Sequence, residues 1–161
     1  HCLLRRQRQM CIRDRDYSST AIKIIEEKAK DNNLSKLIST KHFDIRNKLP
    51  YKDNSINGIF SHMLYCMALT NSDIKKLNDE ILRVLKPGGI NIYSVRNTND
   101  GDYKKGIHRG EDMYENDGFI INFFSEKKVN SLLKGFENLS TTNFEEGNFP
   151  RKLFLIQNKK L

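Results

Sequence analysis

Hydrophobic residues recur at helical spacing in three stretches of the chain. In the middle stretch, Ile74, Leu77 and Ile81 lie on one face, and Leu85 extends that face by one more turn. The polar residues 71–73 precede this face and can cap the first turn. The three predicted helices cover residues 18–31, 74–85 and 125–136.

Runs rich in β-branched and aromatic residues lie between and after the predicted helices. The predicted strands cover residues 37–43, 55–62, 90–95 and 151–158. The middle helix is joined to the strand after it by Lys-Pro-Gly-Gly, in which Pro87 ends the helix and Gly88 and Gly89 allow a tight turn. The alternation of strands and helices predicts an α/β domain with a doubly wound, mostly parallel sheet.

The N-terminal residues differ in character from the rest of the chain. Residues 1–15 hold five arginines and one aspartate, and so carry half of the net charge of +8. They lack the apolar segment of a signal peptide, and the string QMCIRDR resembles translated adaptor sequence. We therefore predict that residues 1–15 are a non-native extension and that residues 16–161 form a partial domain. A basic arm that binds nucleic acid is the alternative.

Composition argues against several kinds of partner and site. Beyond residue 15, lysines alternate with acidic residues as on a solvated surface, so no nucleic-acid partner is predicted. Cys66 is the one cysteine of that part, which leaves no disulfide and no metal-spaced pair and favours a reducing, cytoplasmic location. No apolar run approaches the roughly 18 residues of a membrane span. The residues indicate no particular oligomeric state.

A long polar segment, residues 96–118, holds four of the nine glycines and is predicted to be a functional lid or a disordered loop. It contains the candidates for catalysis. His108 could act as a general base near neutral pH, and Arg109 could clamp an acidic substrate. Arg96 is a further candidate for a pocket. A solvated polar loop would also account for these residues, and no metal site is predicted.

Polar residues stand at the carboxyl ends of the predicted strands, where parallel sheets bind their ligands. Asp16 and Tyr17 begin the chain after the extension, Asp44 follows the next strand, and Ser61 and His62 end the strand after that. These positions lie within the segments DYSSTAI and DIRNKLPYKDNSINGIFSHMLY, which are followed by EILRVLKPGGINIYSV. In this order and at this spacing, the segments resemble the class I S-adenosylmethionine-dependent methyltransferases.

The resemblance runs from Asp16 to about Lys160. It implies the Rossmann-like methyltransferase fold without its first βα unit, and with an antiparallel C-terminal strand. It also implies S-adenosylmethionine as the cofactor and methyl transfer to a small-molecule acceptor.

The resemblance further implies a role for each residue at the strand ends. Asp16 would accept hydrogen bonds from the ribose hydroxyls, which suits a carboxylate because it has two acceptor oxygens and no donor. Tyr17 would offer a flat face to the adenine, Asp44 would meet the adenine amino group, and Ile45 would line the same pocket.

Ser61 and His62 would lie near the methionine part of the cofactor. The sequence departs from the family at its glycine-rich turn of the GxGxG kind, because no glycine precedes residue 58. We therefore expect a chain that is impaired or inactive on its own. Two alternatives remain at this point: a nicotinamide-dependent oxidoreductase, which also holds ribose with an acid after its second strand, and a non-catalytic nucleoside-binding domain.

Overall fold

The computed structural model describes residues 11–147 and 151–161, and the chain divides into two compact units. The first unit ends at Lys48 and the second begins at Leu49.

The first unit is a βαβ element. Strand β1 (Ile12–Asp16) leads into helix α1 (Ser19–Asp31), and strand β2 (Ile38–His42) returns parallel to β1. The Ser18 side chain caps the helix by accepting a hydrogen bond from the amide of Ala21, at 3.2 Å. The predicted helix and the strand after it are confirmed.

Residues 12–15, which the sequence analysis assigned to a non-native extension, form most of strand β1. They pair with β2 in register from Ile12 opposite Ile38 to Asp16 opposite His42. This strand fixes Asp16 at the carboxyl end of the parallel pair.

The second unit is built on a four-stranded sheet of strands β3 (Ile56–His62), β4 (Leu85–Arg96), β8 (Phe136–Glu146) and β9 (Arg151–Lys160). Their order across the sheet is β3-β4-β9-β8. Strands β3 and β4 are parallel, whereas β9 is antiparallel to both of its neighbours. The α/β fold with an antiparallel C-terminal strand is confirmed, and strand β8 is an element that the sequence analysis did not predict.

Helix α2 (Asn71–Val84) buries Ile74, Leu77 and Ile81, as its spacing predicts. Its cap is Thr70 rather than residues 71–73. The Thr70 hydroxyl accepts from the amide of Asp73, and the Asp73 carboxylate accepts from the amide of Thr70, each at 3.1 Å.

The joint between α2 and β4 differs from the prediction. The strand begins at Leu85 rather than at Ile90, and an irregularity places Leu85 opposite Ile56 and Ile90 opposite Gly58. Gly88 has a positive φ of 73°, which side-chain-bearing residues rarely adopt. At Gly89, a Cβ atom would lie 2.8 Å from the carbonyl oxygen of Lys86. The two glycines therefore serve different purposes, one conformational and one steric.

The polar segment predicted as a lid or a disordered loop contains ordered strands. Strands β5 (Ile107–His108), β6 (Met113–Asn116) and β7 (Phe119–Asn122) form a three-stranded antiparallel sheet. Helix α3 (Glu126–Ser131) follows. It is capped by Ser125, and it ends at Ser131 rather than continuing to residue 136 as the sequence predicted.

The core of the second unit lies around stacked aromatic rings. Tyr65, from a 3₁₀ helix (Leu64–Cys66), stacks on Tyr93 with ring centroids 4.7 Å apart and meets Phe124 edge-on. All three rings are fully buried. None of the helices in the described part of the chain is long and apolar enough to cross a membrane.

Candidate functional site

Asp16 stands where strand β1 turns into helix α1. Its Oδ1 atom accepts a hydrogen bond from the amide of Ser18 at 2.6 Å, while its carbonyl oxygen accepts one from the amide of Phe43 at 2.9 Å. No described residue donates to its Oδ2 atom. The carboxylate is therefore oriented by the helix entry and keeps one oxygen available as an acceptor.

Tyr17 follows Asp16 and is 67% exposed. Its ring lies 5.3 Å from the ring of His42, which pairs with Asp16 across the two strands. A large aromatic face thus stands beside the carboxylate with most of its surface open to solvent.

Asp44 lies two residues beyond the end of β2, at the same edge of the parallel pair as Asp16. Its oxygens are held by Arg46: Nη2 donates to Oδ2 at 2.6 Å, Nε contacts both oxygens at 3.0 and 3.1 Å, and the amide donates to Oδ1 at 3.0 Å. The side-chain hydrogen bonds of Arg46 lower the pKa of Asp44 to about 2. Ile45, between the two, is half-buried.

Ser61 and His62 belong to the second unit, at the end of strand β3. The Oγ atom of Ser61 is buried and has no hydrogen-bond partner among the described residues. The Nδ1 atom of His62 lies 2.7 Å from the Oγ atom of the buried Ser94, and its Nε2 atom lies 3.4 Å from an oxygen of Glu146. His62 is thus fixed between a hydroxyl and a carboxylate.

The two candidates for catalysis, His108 and Arg109, make local contacts within the small antiparallel sheet and its turn. The Nε2 atom of His108 donates to the carbonyl oxygen of Glu111 at 2.9 Å, and its ring packs against Tyr114. Arg109 contacts Glu115 at 2.5 Å. These contacts account for the positions of both side chains without a ligand, and the catalytic roles stay predictions.

Arg96, the further pocket candidate, is buried inside the second unit. Its guanidinium donates to both oxygens of Asp100 and to Asp102, and lies 5.3 Å from the ring centre of Phe123. Its amide donates to the Sγ atom of Cys66, whose pKa is raised to about 12 because the thiol is buried. Arg96 is thus engaged in the core, and Cys66 is an inert thiol at neutral pH.

A cleft of about 720 Å³ lies where strand β4 ends, beside the hairpin of β8 and β9. Its lining residues are Asn97, Asn99, Asn143, Phe144, Glu145 and Lys152. None of these residues was predicted from the sequence as a site residue. The available signal was the run of polar residues that follows the hydrophobic strand β4, which is the kind of position that binds ligands in α/β sheets. In the described part of the chain, no group of three or more His, Cys, Asp or Glu side chains is arranged to hold a metal ion.

Known proteins resemble this chain in sequence and in fold. The methyltransferase domain family matches residues 2–93, which is more than half of the chain. No match was found among curated protein sequences.

Solved structures share the fold. An S-adenosylmethionine-dependent methyltransferase from Methanosarcina mazei superposes with a TM-score of 0.77 at 21% identity, covering 94% of this chain and 82% of its own. The N-methyltransferase NodS from Bradyrhizobium japonicum, in complex with S-adenosyl-L-homocysteine, superposes with a TM-score of 0.68 at 11% identity. The match covers 93% of this chain and 66% of NodS. The [4+2]-cyclase SpnF superposes with a TM-score of 0.66 at 17% identity, and the match covers 94% of this chain and 66% of SpnF. At these identities, the likeness concerns the fold alone.

Proposed function

Because the chain belongs to the methyltransferase domain family, we propose that it transfers a methyl group from S-adenosylmethionine to a small-molecule acceptor. The sulfonium of this cofactor supplies an activated methyl group, which an acceptor atom takes in line with the breaking S–C bond. The observation that carries the proposal is the family match across the βαβ element in which β1 ends at Asp16 and β2 ends two residues before Asp44.

The residues of the first unit suit the nucleoside half of the cofactor. The free Oδ2 atom of Asp16 can accept from one ribose hydroxyl, and a second lone pair on Oδ1 can accept from the other. Tyr17 offers an exposed aromatic face, which is the surface that a purine ring stacks on.

Asp44 is less open to a ligand than Asp16. Arg46 and its amide fill the acceptor positions of both oxygens, so an adenine amino group would have to replace one guanidinium N–H. Arg46 is exposed and can move, and the exchange replaces one hydrogen bond by another. Asp16 is therefore the stronger of the two proposed contacts.

Ser61 and His62 remain proposed contacts for the methionine half of the cofactor. The buried hydroxyl of Ser61 supports this role, because a buried polar atom without a partner is one that a ligand can satisfy.

Titration calorimetry with S-adenosylhomocysteine tests the cofactor proposal on the whole chain. We expect Asp16→Ala to weaken binding by about tenfold or more, since a hydrogen bond to a charged group is lost. Asp31→Ala, at the exposed end of α1 in the same unit, is the matched control and should bind as the unmodified chain does. Equal affinity of the two variants would contradict the role of Asp16.

The alternatives give different results in parallel assays. Tighter binding of a nicotinamide dinucleotide than of S-adenosylhomocysteine would favour the oxidoreductase. Binding of S-adenosylhomocysteine with no release of it from S-adenosylmethionine, over a panel of small-molecule acceptors, would favour the non-catalytic domain.

A further inference from the structure

The β8–β9 hairpin contains two pairs of opposite charges that face each other in register. Glu137 lies opposite Lys159, and their charged atoms approach to 3.7 Å. Glu145 lies opposite Lys152, yet no described residue forms an ion pair with either side chain. Cross-strand neighbours of opposite charge normally attract, so these two pairs differ although they belong to the same hairpin. We call Glu145 and Lys152 the open pair and Glu137 and Lys159 the closed pair.

The open pair lines the cleft at the end of β4, whereas the closed pair does not. The volume of the cleft, about 720 Å³, falls within the roughly 300–1,000 Å³ of small-molecule sites. Glu145 and Lys152 are both exposed there. The cleft thus combines an anion and a cation.

Three asparagines add neutral hydrogen-bonding groups to the same cleft. Asn97 is 1% exposed, and its amide spans the sheet: Nδ2 donates to Asn143 at 3.3 Å, and Oδ1 accepts from the amide of Asn99 at 2.9 Å. The Nδ2 group carries a second N–H, so the amide can also donate to a ligand.

The backbone that carries the ammonium group is held firmly. The amide of Lys152 donates to the carboxylate of Asp100 at 2.8 Å, and its carbonyl oxygen accepts from the amide of Asn97 at 2.9 Å. Asp100 is in turn held by the buried Arg96. Because this backbone is already ordered, less conformational entropy of the protein is lost when a ligand binds.

We propose that this cleft binds a small zwitterion, whose cationic group is held by Glu145 and whose anionic group is held by Lys152. A singly charged ligand would leave one of the two protein charges unmatched, whereas a zwitterion satisfies both. Resting on the proposed function, this ligand is the methyl acceptor. In a transfer to nitrogen, the ammonium group first loses one proton to water, and the freed lone pair forms the N–CH₃ bond as the S–CH₃ bond breaks with its electron pair kept by sulfur. In a transfer to the carboxylate oxygen, a lone pair already present forms the O–CH₃ bond, and no proton is released.

The test follows the side-chain amide signals of Asn97, Asn99 and Asn143 by NMR on the whole chain without cofactor. The probes are glycine, β-alanine and γ-aminobutyrate, which separate the two charges by increasing lengths. Propionate and propylamine carry one charge each and serve as ligand controls. We expect saturable shifts with at least one zwitterion, and dissociation constants at least about tenfold weaker for the single charges.

Substitutions in the two pairs distinguish binding at the open pair from a general effect of removing a surface charge. Glu145→Gln and Lys152→Met should each weaken zwitterion binding about tenfold or more. The matched controls, Glu137→Gln and Lys159→Met, remove the same charges from the closed pair and should stay within about twofold of the unmodified chain.

Two results would overturn the proposal: shifts of equal size with propionate or propylamine, or equal effects of the two sets of variants. Absence of any saturable shift with the three zwitterions would also overturn it. Because cofactor is left out, these results are independent of S-adenosylhomocysteine binding, whose failure would remove the acceptor role and leave the zwitterion site.

Discussion

Replacing Arg96 by methionine should destabilise the second unit more than most single substitutions would. The Arg96 side chain is 9% exposed and that of Asp100 is 2% exposed, and Nε and Nη2 of the arginine donate to the two carboxylate oxygens at 3.0 and 2.5 Å. Methionine keeps the length of the side chain but leaves Asp100 charged, buried and without its guanidinium.

The expected loss in the free energy of unfolding is about 3–5 kcal/mol, the usual cost of removing one partner of a buried ion pair. It stays below the upper end because the amides of Asp102 and Lys152 still donate to Asp100, at 2.9 and 2.8 Å. A domain of ordinary stability has roughly 5–15 kcal/mol in total, so the variant should remain folded at low temperature.

Urea unfolding at neutral pH measures this loss, and its pH dependence checks the cause. Burial raises the pKa of Asp100, but the hydrogen bonds from Arg96 and from two amides outweigh it and lower that pKa. In the unmodified chain, this stability is present above the unfolded pKa of about 3.9 and is lost as the pH falls below it. In the variant, the buried carboxyl is instead relieved by protonation, so the difference between the two chains should shrink as the pH falls.

The control is Asp102→Asn, which removes the charge of the half-exposed partner of Arg96 and should cost less than about 1 kcal/mol. Arg96→Met combined with Asp100→Leu removes both buried charges and should recover part of the loss. A loss below about 1 kcal/mol for Arg96→Met, or a loss that does not change with pH, would refute this account of the buried pair.

Three further predictions concern particular local features. Gly88→Ala should lower the free energy of unfolding by about 1–2 kcal/mol, because of the positive φ alone. Gly89→Ala should lower it more, because the added Cβ would meet a backbone oxygen, and urea unfolding of both variants compares the two losses. Thr70→Ala should cost about 1 kcal/mol by the same measurement, through loss of the helix cap. Arg46→Met should raise the pKa of Asp44 from about 2 towards the usual value near 4, as followed by NMR of its carboxyl carbon; an unchanged pKa would contradict the guanidinium as the cause.

The elements that could be predicted from the sequence are those with one buried face. Helix α2 was predicted because Ile74, Leu77 and Ile81 recur at its period, and the position of Asp44 followed from the predicted strand before it. The place of Asp16 at a strand end was implied by the family resemblance alone, since its strand β1 was not predicted. The cap of α2 was placed one residue too late, because residues 70–73 all have side chains that can accept hydrogen bonds.

The elements that could not be predicted are weakly patterned. Strand β8 is exposed along most of its length, so it shows no alternation of buried and exposed residues. Strands β5, β6 and β7 have only two to four residues each, which is too short for a period to be visible. The cleft depends on β8, and it could not be predicted for the same reason.

One irregularity in β8 explains why both Glu137 and Glu145 lie opposite a lysine of β9. Between Asn138 and Ser140 the register shifts by one residue, so that Leu139 is inserted opposite no partner of its own. Without this bulge, continuation of the earlier register would place Glu145 opposite Arg151 instead of Lys152.

The bulge also reconciles the spacing of the charges on the two strands. The glutamates, Glu137 and Glu145, are eight residues apart, whereas the lysines, Lys159 and Lys152, are seven apart, and only one inserted residue lets both pairs face each other. An odd separation on β9 puts the two lysines on opposite faces, because side chains alternate along a strand. The closed pair therefore belongs to one face of the hairpin and the open pair to the other, and Leu139 is the residue whose insertion brings Glu145 to the cleft beside Lys152.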